Sequence, residues 1–176
     1  IAACERAKMN KVPLHILGLY SSGGVHSNLD HMHAMLRLAK QKGVTKVFLH
    51  LVGDGRDMPE QYFCTDFDLL KKEISKEQLG TIASLVGRYF AMDRDKQYVD
   101  RTKVAYDLLA EGKGEDSSDF CAAARQWYIA APDKQKTDYY IRPLKTKEFQ
   151  PVQGKDVVVC VNFRSDRMIQ IVRALE

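Results

Sequence analysis

No apolar run in the sequence is long enough to cross a bilayer. Stretches such as DVVVCVNF (156–163) fall far short of the roughly 20 residues a membrane helix needs. No secretory leader is visible either, because the first ten residues, IAACERAKMN, read as an amphipathic helix and not as an apolar core of a signal. Cysteine is sparse: four residues, at positions 4, 64, 121 and 160, none in a C-x-x-C pair. They are expected to be reduced and buried, as in a cytoplasmic protein. Charge of one sign is missing as well. The net charge of +4 comes from 27 basic and 23 acidic residues, with no run of five like charges, so neither nucleic acid nor a membrane surface is an expected partner. Any role for positive charge must come from local convergence.

Several chemical signatures are also absent. There is no G-x-x-x-x-G-K-[ST] phosphate loop and no G-x-G-x-x-G dinucleotide turn. No arrangement of Ser, Cys and His identifies a nucleophile, and no Asp/His cluster has metal spacing. His31 and His33 lie two apart on an expected helix and face different ways, which argues against a metal pair. His15 and His50 sit inside strand-like runs and are expected to be hydrogen-bonded core residues.

What is present is an alternation of buried runs with helical patterns. The runs PLHILGLY (13–20), KVFLHLVG (46–53), TIASLVG (81–87) and KDVVVCVNF (155–163) read as strands. Helices are expected over 28–43, about 65–74, about 98–111, 117–131 and after RSDR, with an extra short strand in DYYIRPLKTKEFQPV. This pattern predicts an α/β fold, three layers (α/β/α) around a mostly parallel sheet. In such a sheet the strand-to-helix loops emerge together at the carboxyl edge. Four loops then bring Ser22, His26 and Ser27, then Asp54, Arg56 and Asp57, then Arg88, Asp93, Arg94 and Asp95, then Arg164, Asp166 and Arg167 to one rim. Ser27 is the expected N-cap of the first of these helices, with Asp30 three residues on. Arginines gathered at one rim repel one another, and a phosphate or carboxylate would relieve this through bidentate bonds. Salt bridges to Asp54, Asp57, Asp93, Asp95 and Asp166 would do part of the same work, and Asp93 and Asp95 are expected to steady Arg88 and Arg94. The pattern points to a site for a phosphorylated small molecule. The other readings are a regulatory module docking a phosphorylated or nucleic-acid partner, or a structural rim of Arg–Asp pairs.

The ordered motifs GLYSSGGVHSNLDHMHAML, HLVGDGRDMPE, GRYFAMDRD and VNFRSDR resemble those of the cofactor-independent (2,3-bisphosphoglycerate-independent) phosphoglycerate mutases. The resemblance implies a substrate-binding, or transferase, domain inserted into a phosphatase-like domain. In that family 3-phosphoglycerate and 2-phosphoglycerate are interconverted through a phosphoserine, with no requirement for 2,3-bisphosphoglycerate. By motif, His26, Arg56, Asp57, Arg88, Arg94, Arg164 and Arg167 would bind substrate, and Asp57 would be the catalytic acid/base. The nucleophilic serine and a divalent metal (manganese, or cobalt or magnesium) would lie outside this chain, with no metal ligand inside it. The chain starts without Met inside a helical pattern and stops without a helix stop signal, as a piece of a longer polypeptide would. Residues 1–12 would be a connecting helix, 13–170 the substrate-binding domain and 171–176 the start of the return connection. The chain alone would be an inactive monomer that binds substrate, its other partner being the missing phosphatase-like domain. Two positions depart from the family pattern: Ser22 stands where aspartate is usual, and Gln97-Tyr98 where Arg-Trp is usual.

Overall fold

Three of the four apolar runs form the centre of a parallel sheet. The computed structural model describes the backbone of residues 1–176 and every side chain except that of Lys96. The strands are β1 (Leu14–Leu19), β2 (Val47–Gly53), β3 (Thr81–Gly87), β4 (Glu115–Asp116), β5 (Leu144–Lys145) and β6 (Val157–Cys160), in the order β4-β5-β3-β2-β1-β6. All pairs are parallel except β3 with β5. The fourth run yields a strand of only four residues, shorter than its nine-residue apolar pattern.

Every residue of β1 and β2 is buried, because helices cover both faces. Leu14, Ile16, Leu49, Leu51 and Leu85 point into one core, shared with α1 (Ala2–Asn10), α2 (Leu29–Gln41), α3 (Phe63–Glu77) and α6 (Phe120–Ala130). Leu17, Leu19, Val52 and Val86 point into the other, shared with α4 (Arg88–Ala91), α5 (Val99–Glu111) and α7 (Ile169–Leu175). The period-2 alternation of a strand thus feeds two apolar layers at once. The fold is the expected three-layer α/β/α. Cys4 is fully buried in the first core and Cys64, Cys121 and Cys160 are half-buried, all four as free thiols.

The expected core histidines form a chain across the sheet. Asp156 accepts from His15 Nε2 at 3.2 Å, His15 Nδ1 meets His50 Nε2 at 2.8 Å, and His50 Nδ1 meets Ser84 Oγ at 2.8 Å. His33 is buried against the Tyr20 hydroxyl at 2.9 Å, whereas His31 stays exposed and packs edge-on against Phe163. The two histidines do face different ways.

The least regular region, residues 131–156, secures the rim. Asp138, 1% exposed, accepts from the backbone N–H groups of Tyr62 (2.8 Å) and Phe63 (2.9 Å), and from the Tyr128 hydroxyl. It therefore caps α3 from 75 residues away, which is why that helix starts two residues before its sequence pattern suggests. The next residue crosses the end of β3 so closely that a Cβ on Gly87 would lie 2.3 Å from the Tyr139 carbonyl oxygen. Asp138→Ala leaves two helix N–H groups and a buried hydroxyl without an acceptor. A loss of about 3 kcal/mol follows, or roughly 10 °C in a thermal melt; an unchanged melting temperature would contradict this role.

Candidate functional site

The four loops at the carboxyl edge meet as the alternation requires. Gly24 and Gly55 have φ of +70° and +61° and let the loops after β1 and β2 turn sharply. Helix α2 is capped one residue later than expected: Asn28, not Ser27, accepts from Asp30 N–H at 3.0 Å. Ser27 is buried, and its hydroxyl has no hydrogen-bond partner among the described residues, so it is turned inward instead of along the helix end.

His26 is 4% exposed. Its Nε2 lies 4.0 Å from Asp57 Oδ2 and its Nδ1 lies 3.8 Å from Asp166 Oδ1, too far for hydrogen bonds. Its carbonyl accepts from the N–H groups of Phe163 and Arg164, which ties the first loop to the fourth. Burial, then the Arg88 charge, holds its pKa below the ordinary histidine value, so the imidazole is neutral near pH 7 and can donate or accept.

Arg88, 2% exposed, places Nη1 2.6 Å from Asp54 Oδ1 and 2.6 Å from Asp57 Oδ2. Arg94 donates to Asp166 Oδ2 at 2.9 Å, and Arg164 engages the same carboxylate at 3.1 and 3.3 Å. Arg167 donates to the Met92 carbonyl at 3.1 Å. Arg56 is exposed at the turn, its backbone N–H held by Asp54. The guanidinium groups crowd one another: burial, followed by the charges of Arg88, Arg94 and Arg56, pushes the Arg167 pKa down. Pairing with carboxylates is incomplete. Arg88 Nη2, Arg167 Nε and His26 Nδ1 are buried with no hydrogen-bond partner among the described residues. Buried polar atoms are rarely left so without a reason.

The structure thus brings His26, Asp57, Arg88, Arg94, Arg164 and Arg167 together, with Arg56 at the edge. It corrects the expectation for Asp93 and Asp95. Asp93 pairs with Arg101 at 2.8 Å, and Asp95 caps the short 3₁₀ turn of residues 96–98 by accepting from Gln97 N–H. Asp54, Asp57 and Asp166 hold the rim arginines instead. Asp54 was among the rim carboxylates expected to pair with arginine; the fold adds that three loops converge on it. Of the unusual positions, Ser22 donates from both N–H and Oγ to Asp66 at 3.0 Å, where an aspartate would set two carboxylates face to face. Tyr98 stacks on Arg101, whose guanidinium carbon lies 3.6 Å from the ring centroid.

The groove between α5 and α7, about 530 Å³, is lined by residues such as Val99, Tyr106 and Ala174, none of which belongs to the rim. Among the described residues no three His, Cys, Asp or Glu side chains come together as metal ligands.

In layout this is a doubly wound α/β domain with an arginine-rich carboxyl edge, the place where such sheets hold ligands. The family model described as BPG-independent PGAM N-terminus matches residues 1–176. Two 2,3-bisphosphoglycerate-independent phosphoglycerate mutases, from Clostridium kluyveri and Pseudomonas entomophila, are each 40% identical to the chain. They align over 99% and 98% of it and over 34% and 33% of their own lengths. A crystal structure of Leishmania mexicana phosphoglycerate mutase at low cobalt concentration superposes with a TM-score of 0.85 at 29% identity, covering 94% of this chain and 32% of that one. The chain belongs to the BPG-independent phosphoglycerate mutase N-terminal family, and spans about a third of the length of the relatives it matches.

Proposed function

We propose that this chain is the substrate-gripping domain of a phosphoglycerate mutase that interconverts 3-phosphoglycerate and 2-phosphoglycerate. The observation that carries it is the set of buried, unpartnered atoms on Arg88, Arg167 and His26, in a rim crowded with guanidinium groups. A phosphorylated carboxylic acid supplies two anionic groups, enough to engage those donors and relieve the crowding. Asp57, anchored by Arg88 and close to the neutral His26, then serves as the acid/base for the glycerate hydroxyls.

The phosphoserine of the reaction and the divalent metal ions belong, on this proposal, to the rest of the polypeptide. Residues 1–12 and 171–176 lead to and from that part, with α1 and α7 packing on the 13–170 core through Cys4, Ala7 and Ile171. The chain alone binds substrate as a monomer and does not turn it over. Setting is expected to be the cytoplasm.

Arg164→Lys tests the recognition. Lysine keeps the charge but has no planar fork. Losing one charge-assisted hydrogen bond weakens 3-phosphoglycerate binding by about tenfold or more in calorimetry. Equal affinity for both proteins would count against bidentate recognition.

A further inference from the structure

Asp54 receives more donors than any other carboxylate of the rim. Its Oδ1 accepts from Arg88 Nη1 at 2.6 Å, from Asp57 N–H at 3.0 Å and from Arg56 N–H at 3.2 Å. Its Oδ2 accepts from Ser21 Oγ at 2.6 Å, and that oxygen in turn accepts from Gly23 N–H at 3.1 Å. One buried carboxylate, 4% exposed, therefore touches the loops that follow β1, β2 and β3. We infer that Asp54 is a positioning residue: it fixes the direction in which Arg88 and Asp57 face the bound anion, and does not itself touch that anion.

Charge alone does not explain it. Arg88 already has Asp57 as a counter-ion at 2.6 Å, so Asp54 is a second negative charge beside a site that attracts anions. As a bare charge it works against binding. As an anchor it works for binding, since it occupies Nη1 and leaves Nη2 free, and since it holds the two N–H groups of the 54–57 turn that carries Arg56 and Asp57. Without it, the buried guanidinium has Asp57 as its remaining carboxylate and draws that side chain away from His26. The two roles differ in sign, which makes them separable.

The assignment rests on the rim being the phosphoglycerate site, so the experiment reads both questions. Wild type, Asp54→Asn and Ser21→Ala are titrated with 3-phosphoglycerate at fixed ionic strength, and the Arg88 guanidinium is followed by ¹⁵N NMR. A positioning role predicts that Asp54→Asn binds about tenfold more weakly although the protein has become more positive. It also predicts that the restrained Arg88 guanidinium signal broadens or is lost. Ser21→Ala keeps the charge and removes one anchor bond, and should weaken binding about threefold. Unchanged or tighter binding by Asp54→Asn overturns the inference. Should that variant fail to fold, Ser21→Ala decides, and unaltered affinity then overturns it. Should wild type not bind 3-phosphoglycerate, the mutase proposal fails, and the NMR comparison alone decides: an unaltered Arg88 signal in Asp54→Asn overturns the anchor.

Discussion

Arg88→Met is expected to lower the melting temperature by about 10 °C or more and to abolish measurable 3-phosphoglycerate binding. Methionine fills similar space without the charge, so the loss isolates the electrostatics. Asp54 and Asp57 share Arg88 Nη1 at 2.6 Å each, and removing it leaves two carboxylates facing each other with no shared cation. Asp54 is buried and water cannot take over. Breaking a buried pair by deleting one partner costs about 3–5 kcal/mol. A melting temperature within about 2 °C of wild type would mean that the pairing is dispensable. The expected binding loss has a separate origin: on the proposed function, the unpartnered Nη2 of the same guanidinium is the donor that would engage the anion.

Acid is expected to destabilise the protein well before its carboxylates titrate. His15 and His50 are hydrogen-bonded to each other at 2.8 Å. Adding a proton to both would set two cations in contact inside the sheet. Burial pushes the His50 pKa down to about 3, with His15 adding to the effect, and burial also lowers His15, His33 and His26. A histidine whose folded pKa is depressed lets the unfolded chain bind more protons below about pH 6.5. Stability is therefore full above that pH and falls as pH decreases. His50 alone accounts for about 2 kcal/mol between pH 7.5 and pH 5. Asp66 and Asp138, whose pKa values burial raises, act with the opposite sign and recover some stability as pH falls further. Denaturant melts at pH 7.5, 6.5 and 5 measure the balance. Flat stability over that range would mean that the buried histidines accept protons without cost.

The sheet and the location of the rim were legible because local pattern and tertiary demand coincide in β1, β2 and β3. Continuous apolar runs there have one use, a strand covered on both faces. Helix α2 was legible except for its cap, where Ser27 and Asn28 are both good capping residues and only packing chooses between them. The start of α3 was not legible, since its capping carboxylate, Asp138, comes from a distant turn. The site residues were legible as a set, through arginines at strand ends and through motif resemblance. Their partners were legible only in part: Asp54, Asp57 and Asp166 were among the expected carboxylates, but which arginine each takes was not readable. Asp93 and Asp95 stand beside Arg94 in sequence, yet Arg94 reaches Asp166 and Arg88 reaches back to the second loop. Nearness along the chain gives little guidance where four loops cross one edge.

Whether the arginine-rich rim is the phosphoglycerate site is read by an amide NMR map of this chain as 3-phosphoglycerate is added. Saturable shifts are expected at Gly24–Ser27, Asp54–Asp57, Arg88 and Arg164–Arg167, with the α5/α7 groove around Val99 and Tyr106 unaffected. Shifts confined to that groove, or none at the rim under saturating ligand, would contradict that assignment.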